Sequence, residues 1–151
     1  MDDLDIKIIN ILLEDGRATV KDIASKVNLS SPTVSERITR LKKKKIIQGV
    51  HAQVDPFFFN YQIKAFISIA LPSGMKEEFY EVVNAKINVI ECDRITGEYN
   101  TLLIVLFDST EELNSFIEEL QKYGKTNTQI AYAVSIPNRT APVRGRRESA
   151  T

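Results

Sequence analysis

The chain has 151 residues and a mass of 17.1 kDa, and its 20 basic and 20 acidic side chains give a formal net charge of zero. No apolar run approaches the roughly 20 residues that a membrane-spanning helix needs, and the N-terminus lacks the pattern of a secretory signal, so we predict a cytoplasmic protein with no membrane segment. The single cysteine, Cys92, excludes an intrachain disulfide, and with one histidine the sequence offers no Cys/His zinc site.

The zero net charge is a cancellation between segments of opposite sign. Residues 1–55 carry a net charge of +2, residues 56–136 carry −5, and residues 137–151 carry +3. Within residues 31–51, six basic side chains accompany one acidic side chain, Glu36. This local excess of positive charge indicates a nucleic-acid contact that the neutral total conceals.

The first predicted helix runs from about Asp3 to Asp15 and is apolar on two sides. One stripe follows the i, i+4, i+7, i+8 spacing, and a second stripe on the opposite side consists of Ile6, Ile9 and Leu13. A helix that is apolar on two sides is usually buried on both. We therefore expect something beyond the small N-terminal domain to cover the second stripe.

Two further helices are predicted, one over Val20–Val27 and one that begins at Pro32. Thr19 is expected to cap the first of them and Ser31 the second, with the proline at the N1 position, where its missing N–H costs nothing. Residues 28–30 form a tight connection. A short helix, a turn and a helix with a polar outer face match a helix-turn-helix.

The outer face of the third helix carries side chains that can reach base edges and phosphates. Arginine can pair with guanine, and serine or threonine can contact either base edges or phosphates. Lysine can contact the phosphate oxygens of the DNA backbone. A solvated basic face with cations near the helix C-terminus is the alternative, but the helix spacing and the following wing-like segment favour DNA binding. The predicted DNA-binding residues are Ser31, Thr33, Ser35, Glu36, Arg37, Thr39, Arg40 and Lys43.

Residues 46–54 alternate between apolar and polar side chains, as a strand does, and we expect them to form the wing of a winged helix-turn-helix. Asp55 and Pro56 end this segment. Three consecutive phenylalanines, 57–59, lie in the stretch from Pro56 to Tyr61, and such an apolar run predicts that at least part of this stretch docks somewhere rather than being a solvated linker.

Residues 63–136 show two successive βαβ patterns, which indicate a ferredoxin-like α+β sandwich. Strands are predicted over 63–71, 89–96, 101–107 and 128–136, and helices over 75–87 and 110–123. Residues 102–107 are apolar at every position, so both faces of that strand should be dry. Two helices can cover one face only, and we expect a second copy of the chain to cover the other. Cys92 is expected to be a buried small hydrophobe.

The sequence contains six short motifs, which are Leu4-Asp5-Ile6-Lys7-Ile8-Ile9, Asp15-Gly16-Arg17-Ala18, Asp22-Ile23-Ala24, Leu29-Ser30, Val34-Ser35-Glu36-Arg37-Ile38-Thr39-Arg40-Leu41 and Ile46-Ile47-Gln48-Gly49. Together they resemble the Lrp/AsnC family of bacterial and archaeal transcriptional regulators. The resemblance covers residues 1–136, in both halves and in order. It implies an N-terminal winged helix-turn-helix joined to a C-terminal ferredoxin-like βαββαβ domain, a homodimer that assembles into tetramers or octamers, and a small-molecule effector, commonly an amino acid.

Residues 96–100 lie between the two βαβ halves and by themselves favour a hairpin turn. The resemblance implies that they match the family's Gly-Asp/Glu-Tyr/Phe-Asp motif, which lines an effector site between dimers together with a threonine-rich segment. Asn100 stands where the family usually has Asp, so a charge that would face an ammonium group is missing, and Glu98 is a candidate replacement. The implied effector-binding residues are Gly97, Glu98, Tyr99, Asn100, Thr126 and Thr128.

We therefore predict a winged helix-turn-helix domain over residues 1–55, a linker or docking segment over 56–62, an effector-binding and oligomerisation domain over 63–136, and a mobile basic tail over 137–151. The predicted function is sequence-specific binding of double-stranded DNA in transcription regulation, modulated by a small molecule such as an amino acid. An effector-independent architectural DNA-binding protein is the alternative. An enzyme is disfavoured, because the sequence lacks a nucleophile–base pair, a metal cluster and a glycine-rich phosphate loop, and no cofactor is predicted.

Overall fold

The computed structural model describes residues 1–136 and Val143, which divide into two compact units. The first unit comprises residues 1–53 together with Val143, and the second comprises residues 54–136. In the described part of the chain, no helix is long and apolar enough to cross a membrane. The rest of the predicted tail, 137–142 and 144–151, lies outside the described residues.

The first unit contains three helices, α1 (Asp3–Glu14), α2 (Val20–Val27) and α3 (Ser31–Lys43). Thr19 caps α2 as predicted, and its hydroxyl accepts a hydrogen bond from the backbone N–H of Asp22 at 3.1 Å. The cap predicted for α3 was wrong by one residue. Ser30 is the N-cap because its hydroxyl accepts from the backbone N–H three residues on, and Ser31 is already the first helical residue.

Fully buried apolar residues join the three helices, among them Ile8 of α1, Ile23 of α2 and Val34 of α3. The chain turns between α2 and α3 at Asn28, whose φ of 54° is left-handed, a conformation that asparagine tolerates better than most residues. The side of α3 opposite Val34 is thereby left open to solvent. This is the helix-turn-helix arrangement that the sequence predicts.

The predicted wing strand over residues 46–54 is absent. The backbone N–H groups of Ile46 and Ile47 both donate to the carbonyl of Leu41, which turns the chain as it leaves α3. A strand needs a neighbouring strand to complete its ladder, and the sheet of the described residues contains none of this segment. Its apolar side chains at 46, 50 and 54 are exposed.

The phenylalanines at 57–59 are not docked on the described residues of a single chain, so the expected docking of this segment stays a prediction. These phenylalanines lie in a short 3-10 helix, Pro56–Phe59, that begins at a cap formed by Asp55. All three are exposed, and Phe58 keeps 86% of its surface accessible.

The second unit is a four-stranded antiparallel sheet with two helices, in the predicted βαββαβ order. Its elements are β1 (Ile63–Ala70), α4 (Lys76–Asn84), β2 (Val89–Arg94), β3 (Thr101–Phe107), α5 (Thr110–Gln121) and β4 (Lys125–Ile130). The spatial order is β2-β3-β1-β4, so the two edge strands are β2 and β4.

The boundaries of α4 and β4 differ from the sequence prediction. Helix α4 ends at Asn84 instead of residue 87. Strand β4 covers Lys125–Ile130 instead of 128–136, and in the described residues it pairs with β1 up to the pair of Ile130 with Ala65. One more hydrogen bond, from the Ala131 N–H to the Lys64 carbonyl at 2.8 Å, follows near the start of β1.

Both helices pack on the same face of the sheet. That face is formed by alternate residues of β1 and β3, all buried with α4 and α5 in one apolar cluster that includes Ala65, Ile67, Ile69, Leu103, Val105, Phe107, Phe79 and Leu120. The opposite face carries Phe66, Leu102, Ile104 and Leu106, which are half-buried, so the expectation that both faces are dry is not met within one chain. Cys92, expected to be buried, is exposed because β2 is an edge strand.

Candidate DNA-binding surface and effector site

The exposed side of α3 is formed by residues opposite its buried Val34 and Leu41. Glu36, Thr39 and Lys43 occupy the centre of this side and are exposed. The Thr39 hydroxyl donates to the Ser35 carbonyl one turn earlier at 2.9 Å. The eight predicted DNA-binding residues thus share one helix. Six of them are exposed and two, Thr33 and Arg37, are half-buried.

Two of the predicted readers, Arg37 and Arg40, are held by carboxylates at the start of α1. The Arg37 guanidinium donates to Asp2 at 2.7 Å and to Asp5 at 2.8 Å. The Arg40 guanidinium donates to both oxygens of Asp5 at 3.0 and 3.1 Å. The Asp5 side chain is only 3% exposed, so one buried carboxylate accepts from two arginines of the recognition helix.

Burial and hydrogen bonding shift the pKa of the Asp5 carboxyl group in opposite directions. Burial raises the pKa of its carboxyl group, but the hydrogen bonds from Arg37 and from the Asp2 backbone outweigh burial, and the pKa lies below its ordinary value. The Arg37 hydrogen bond likewise lowers the pKa of the Asp2 carboxyl group. Both acids are therefore ionised at neutral pH, and the pairs are charge-assisted hydrogen bonds.

These contacts divide the two arginines between different tasks. The Arg37 side chain is 19% exposed and satisfies two carboxylates, so it orients α3 on α1. The Arg40 side chain is 48% exposed and keeps donors available on its solvent side. DNA contact by either residue stays a prediction.

Sequence reasoning missed Asp2 and Asp5 as partners of the recognition helix. A signal was present, since the two acids and the two arginines are each spaced by three residues, which places each pair on one helix face. Asp2 also forms a capping box with Asp5 at the start of α1. The same two carboxylates therefore cap α1 and form ion pairs with Arg37 of α3.

The predicted effector residues gather at one end of the sheet. Residues 95–100 connect β2 to β3, and the N–H of Ile95 donates to the carbonyl of Asn100 at 3.0 Å. Gly97 has a φ of +110°, which favours glycine, and a Cβ there would meet open space. β1 ends and β4 begins at this same end.

The Asn100 side chain is bonded to the backbone rather than directed to solvent. Its amide nitrogen donates to the carbonyl of Leu71 at 2.8 Å, and its amide oxygen accepts from the Leu71 N–H at 3.0 Å. An aspartate at this position could accept but not donate when ionised. The Asn100 amide therefore pairs with both backbone groups of Leu71 at the end of β1, which an ionised aspartate could not do.

Lys125 is a charged neighbour of the motif that the sequence did not identify. Its ammonium group lies 3.2 Å from the Glu98 carboxylate and 5.6 Å from the centre of the Tyr99 ring. The hydrogen bond to Glu98 raises the pKa of Lys125. The Lys125 and Glu98 side chains are 68% and 70% exposed, so their ion pair is held weakly and can open.

Thr126 and Thr128 follow Lys125 on β4 and pair across the sheet with Ile69 and Ile67. Because paired residues share a face, both threonines lie on the face that carries the helices, and both are half-buried. Thr126 thus lies at the end of the sheet where Asn100 closes β1, and Thr128 lies two residue pairs further along β4.

Comparisons with known proteins agree with this architecture. The model of the AsnC-type helix-turn-helix domain matches residues 1–42, and the model of the Lrp/AsnC ligand binding domain matches residues 64–141. The HTH-type transcriptional regulator FL11 of Pyrococcus furiosus is 31% identical over 147 residues, which cover 95% of this chain and 97% of the relative.

Solved structures show the same fold. LrpC of Bacillus subtilis is 25% identical with a TM-score of 0.84, covering 91% of this chain and 99% of that one. A transcriptional regulator of Neisseria meningitidis, solved as a complex with L-Met, is 25% identical with a TM-score of 0.86, covering 95% and 96%.

The fold and these relatives define a transcriptional regulator with a DNA-binding helix-turn-helix and a separate ligand-binding domain. The chain belongs to the Lrp/AsnC family. The family resemblance and the fold class predicted from the sequence are thereby confirmed, apart from the wing strand.

The lowered pKa of Asp5 predicts a specific acid sensitivity. A carboxyl group whose pKa is depressed in the folded state contributes stability above its unfolded pKa of about 4, and this contribution is lost as the pH falls through the folded pKa. We expect Asp5→Asn to lower the free energy of unfolding by about 2 kcal/mol at pH 7. The difference from wild type should shrink as the pH falls from 5 towards 2 in urea unfolding.

Asp3→Asn is the matched control, because Asp3 is exposed in the same first turn. It should leave the free energy of unfolding nearly unchanged. A loss for Asp5→Asn that stays constant with pH would contradict the role of the ionised carboxylate.

The Asn100→Asp variant tests how much the hydrogen bond from the Asn100 amide to the Leu71 carbonyl stabilises the fold. The variant leaves the carbonyl of Leu71, a residue only 2% exposed, without its side-chain donor. We expect the free energy of unfolding to fall by about 1–3 kcal/mol at pH 7. Asn127→Asp, the same change at an exposed position of β4, should have little effect, and equal losses in the two variants would refute this account.

Proposed function

We propose that this protein is a sequence-specific regulator whose α3 enters the major groove of double-stranded DNA. The observation that carries the proposal is the exposed side of α3, where Glu36, Thr39 and Lys43 lie together. Asp5 of α1 forms ion pairs with Arg37 and Arg40 of this helix. Hydroxyl and carboxylate groups at this side suit base edges, and the lysine suits phosphate oxygens.

We propose further that the protein acts as a homodimer formed through the open face of the sheet. Support comes from Phe66, Leu102, Ile104 and Leu106, large apolar side chains that lie on this face and are only half-buried in one chain. Two recognition helices in a dimer would contact half-sites about one helical turn, ~34 Å, apart. Tetramers or octamers of such dimers belong to the same proposal.

The small-molecule effector is proposed to be an amino acid bound at the end of the sheet that holds Gly97, Glu98 and Tyr99. An amino acid is a zwitterion, and the Glu98–Lys125 pair offers an anion for its ammonium group and a cation for its carboxylate. The relative from Neisseria meningitidis was solved with L-Met. Asn100 would support the site through the backbone. Thr126 and Thr128 lie on the face of β4 that carries the helices, opposite to Lys125, so their part in the site would be to support this end of β4 from the other face.

An effector-independent architectural role is the second candidate. Residues 42–45 are four consecutive lysines at the end of α3, which suits nonspecific phosphate binding. Footprinting separates the two, because a site-specific regulator protects discrete half-sites whereas an architectural protein coats the DNA. An enzymatic activity is not part of either proposal.

DNA recognition is tested first by selecting bound sequences from a random DNA pool and then by measuring variants on the selected site. Thr39→Ala should weaken binding to that site by about 1–3 kcal/mol and relax the selected sequence, as expected for a base contact. Lys43→Ala should weaken binding to all sequences and reduce the salt slope by about 1.

Lys122→Ala is the control for charge, since this exposed lysine follows α5 in the other unit. If neither α3 variant changes binding while the control matches wild type, the assignment of the exposed side of α3 is wrong.

Effector binding is tested by titrating the full chain with L-methionine and the other standard amino acids in a calorimeter. Glu98→Gln and Lys125→Met should each weaken the binding of a responsive amino acid by about tenfold, because each removes one charged partner of the zwitterion. Glu77→Gln, an exposed change on α4, should bind as wild type does. Unchanged affinity in both site variants would reject this site.

A further inference from the structure

We infer that the pocket between the start of α1 and the end of α3 binds a phosphate group of the DNA backbone, with Arg40 and Lys44 as its cationic ligands. This phosphate contact rests on the proposed function, in which the neighbouring side of α3 reads the bases. Arg40 then binds the DNA backbone rather than a base edge.

The pocket has a volume of about 250 Å³ and lies wholly within the DNA-binding unit. It is large enough for several water molecules and hence for a phosphate group. Its lining combines two carboxylates, two cations and two apolar side chains, which are Asp2, Asp5, Arg40, Lys44, Leu41 and Ile46. Arginine and lysine are the side chains that most often hold phosphate oxygens.

Arg40 is held at this pocket by a buried acid. Its Nη2 group donates to both oxygens of Asp5 at 3.0 and 3.1 Å, while the Nε and Nη1 groups have no partner among the described residues. The Arg40 side chain is 48% exposed. Because a guanidinium group carries donors on all three nitrogens, Arg40 can keep its bonds to Asp5 and still donate to an oxyanion.

Lys44 is the second cation of the pocket, and the carboxylates do not cancel it. Lys44 is exposed and forms no ion pair within the described part of the chain. Asp2 and Asp5 are paired with Arg37 at 2.7 and 2.8 Å. Together with Arg40, three cations face two carboxylates, and the excess of one positive charge matches the single negative charge of a phosphodiester.

An uncommon backbone conformation brings Ile46 into the lining. Lys45 has a φ of 54°, in the left-handed region where glycine and asparagine are far more usual than lysine. The Lys45 N–H donates to the carbonyl of Lys42 at 2.9 Å, and the Ile46 N–H donates to the carbonyl of Leu41 at 3.0 Å. These are the two hydrogen bonds of a Schellman motif, which turns the chain back at the end of α3. Ile46 and Leu41 thus supply apolar surface near the cations, where lower polarity strengthens their attraction for an anion.

The pocket lies next to the side of α3 that is proposed to read bases. Arg40 and Lys44 each follow a residue of that side, Thr39 and Lys43, and are one turn apart. One residue corresponds to about 100° around a helix. A helix seated in the major groove contacts base edges with one side, and its flanking residues are then next to the phosphates that border the groove.

The contact is tested by the salt dependence of binding to the selected DNA site. Lys44→Ala should reduce the salt slope by about 1 and weaken binding to all sequences alike, without relaxing the selected sequence. Lys7→Ala, an exposed change on α1 outside the pocket, should keep the wild-type slope. An unchanged slope in Lys44→Ala overturns the phosphate contact, and so does a relaxed sequence preference.

A second variant tests the pocket without removing a cation. Ile46→Glu places a carboxylate in the lining and should weaken DNA binding by at least about tenfold, because like charges are then brought together. Ile46→Gln has nearly the same shape without the charge and should bind DNA with close to the wild-type affinity. Equal losses in the two variants mean that Ile46 acts through packing alone, and they overturn the pocket as a phosphate site.

The pocket is also tested without DNA, by titrating the full chain with inorganic phosphate and following the Arg40 Nε–Hε resonance by NMR. The resonance should shift in the wild type and should stay in place in Ile46→Glu. A resonance that does not move in the wild type overturns Arg40 as a phosphate ligand. A wild-type chain that shows the phosphate shift but binds no DNA refutes the proposed function and leaves the pocket as an anion site.

Discussion

The position of the recognition helix depends on one buried carboxylate. Asp5 of α1 is almost inaccessible and accepts hydrogen bonds from Arg37 and Arg40, which are one turn apart on α3. A charge buried this deeply is tolerated only when it is paired and hydrogen-bonded. The geometry of α3 relative to α1 is therefore set by electrostatics on one side and by the apolar contacts of Val34 on the other. Arg37 orients the helix, while Glu36, Thr39 and Lys43 face solvent.

Much of the fold could be predicted from the sequence because its signals are local. The 3.6-residue apolar spacing and the capping residues located the five α-helices of the described residues, and Thr19 was correctly identified as a cap since its partner Asp22 is three residues away. The failures arose where structure depends on a distant neighbour. Residues 46–54 have the alternation of a strand but no place in the sheet of the described residues, and β4 ends at Ile130, which pairs with Ala65 of β1, well before the predicted residue 136.

The candidate effector site shows the same limit at the level of side chains. The sequence identified the turn around Gly97 and the departure at Asn100. It did not reveal that Asn100 pairs with the backbone of Leu71, nor that Lys125 lies against Glu98, because antiparallel register brings together residues that are 29 and 27 positions apart. Both contacts change the chemistry expected of the site. The Asn100 amide is bonded to the protein backbone, and the Glu98 carboxylate has the Lys125 ammonium group beside it.

We propose that Asp5 positions the DNA-binding side of α3 without itself contacting DNA. The most direct measurement is a double-mutant cycle between Asp5→Asn and Thr39→Ala, read as affinity for the selected DNA site under conditions in which all four proteins are folded. We expect Asp5→Asn alone to weaken binding, and we expect the two changes to be coupled by at least about 0.5 kcal/mol. The reason is that a displaced α3 has already lost the Thr39 contact to DNA, so that removing Thr39 costs less. Wild-type affinity in Asp5→Asn, or strictly additive losses, would contradict this proposal.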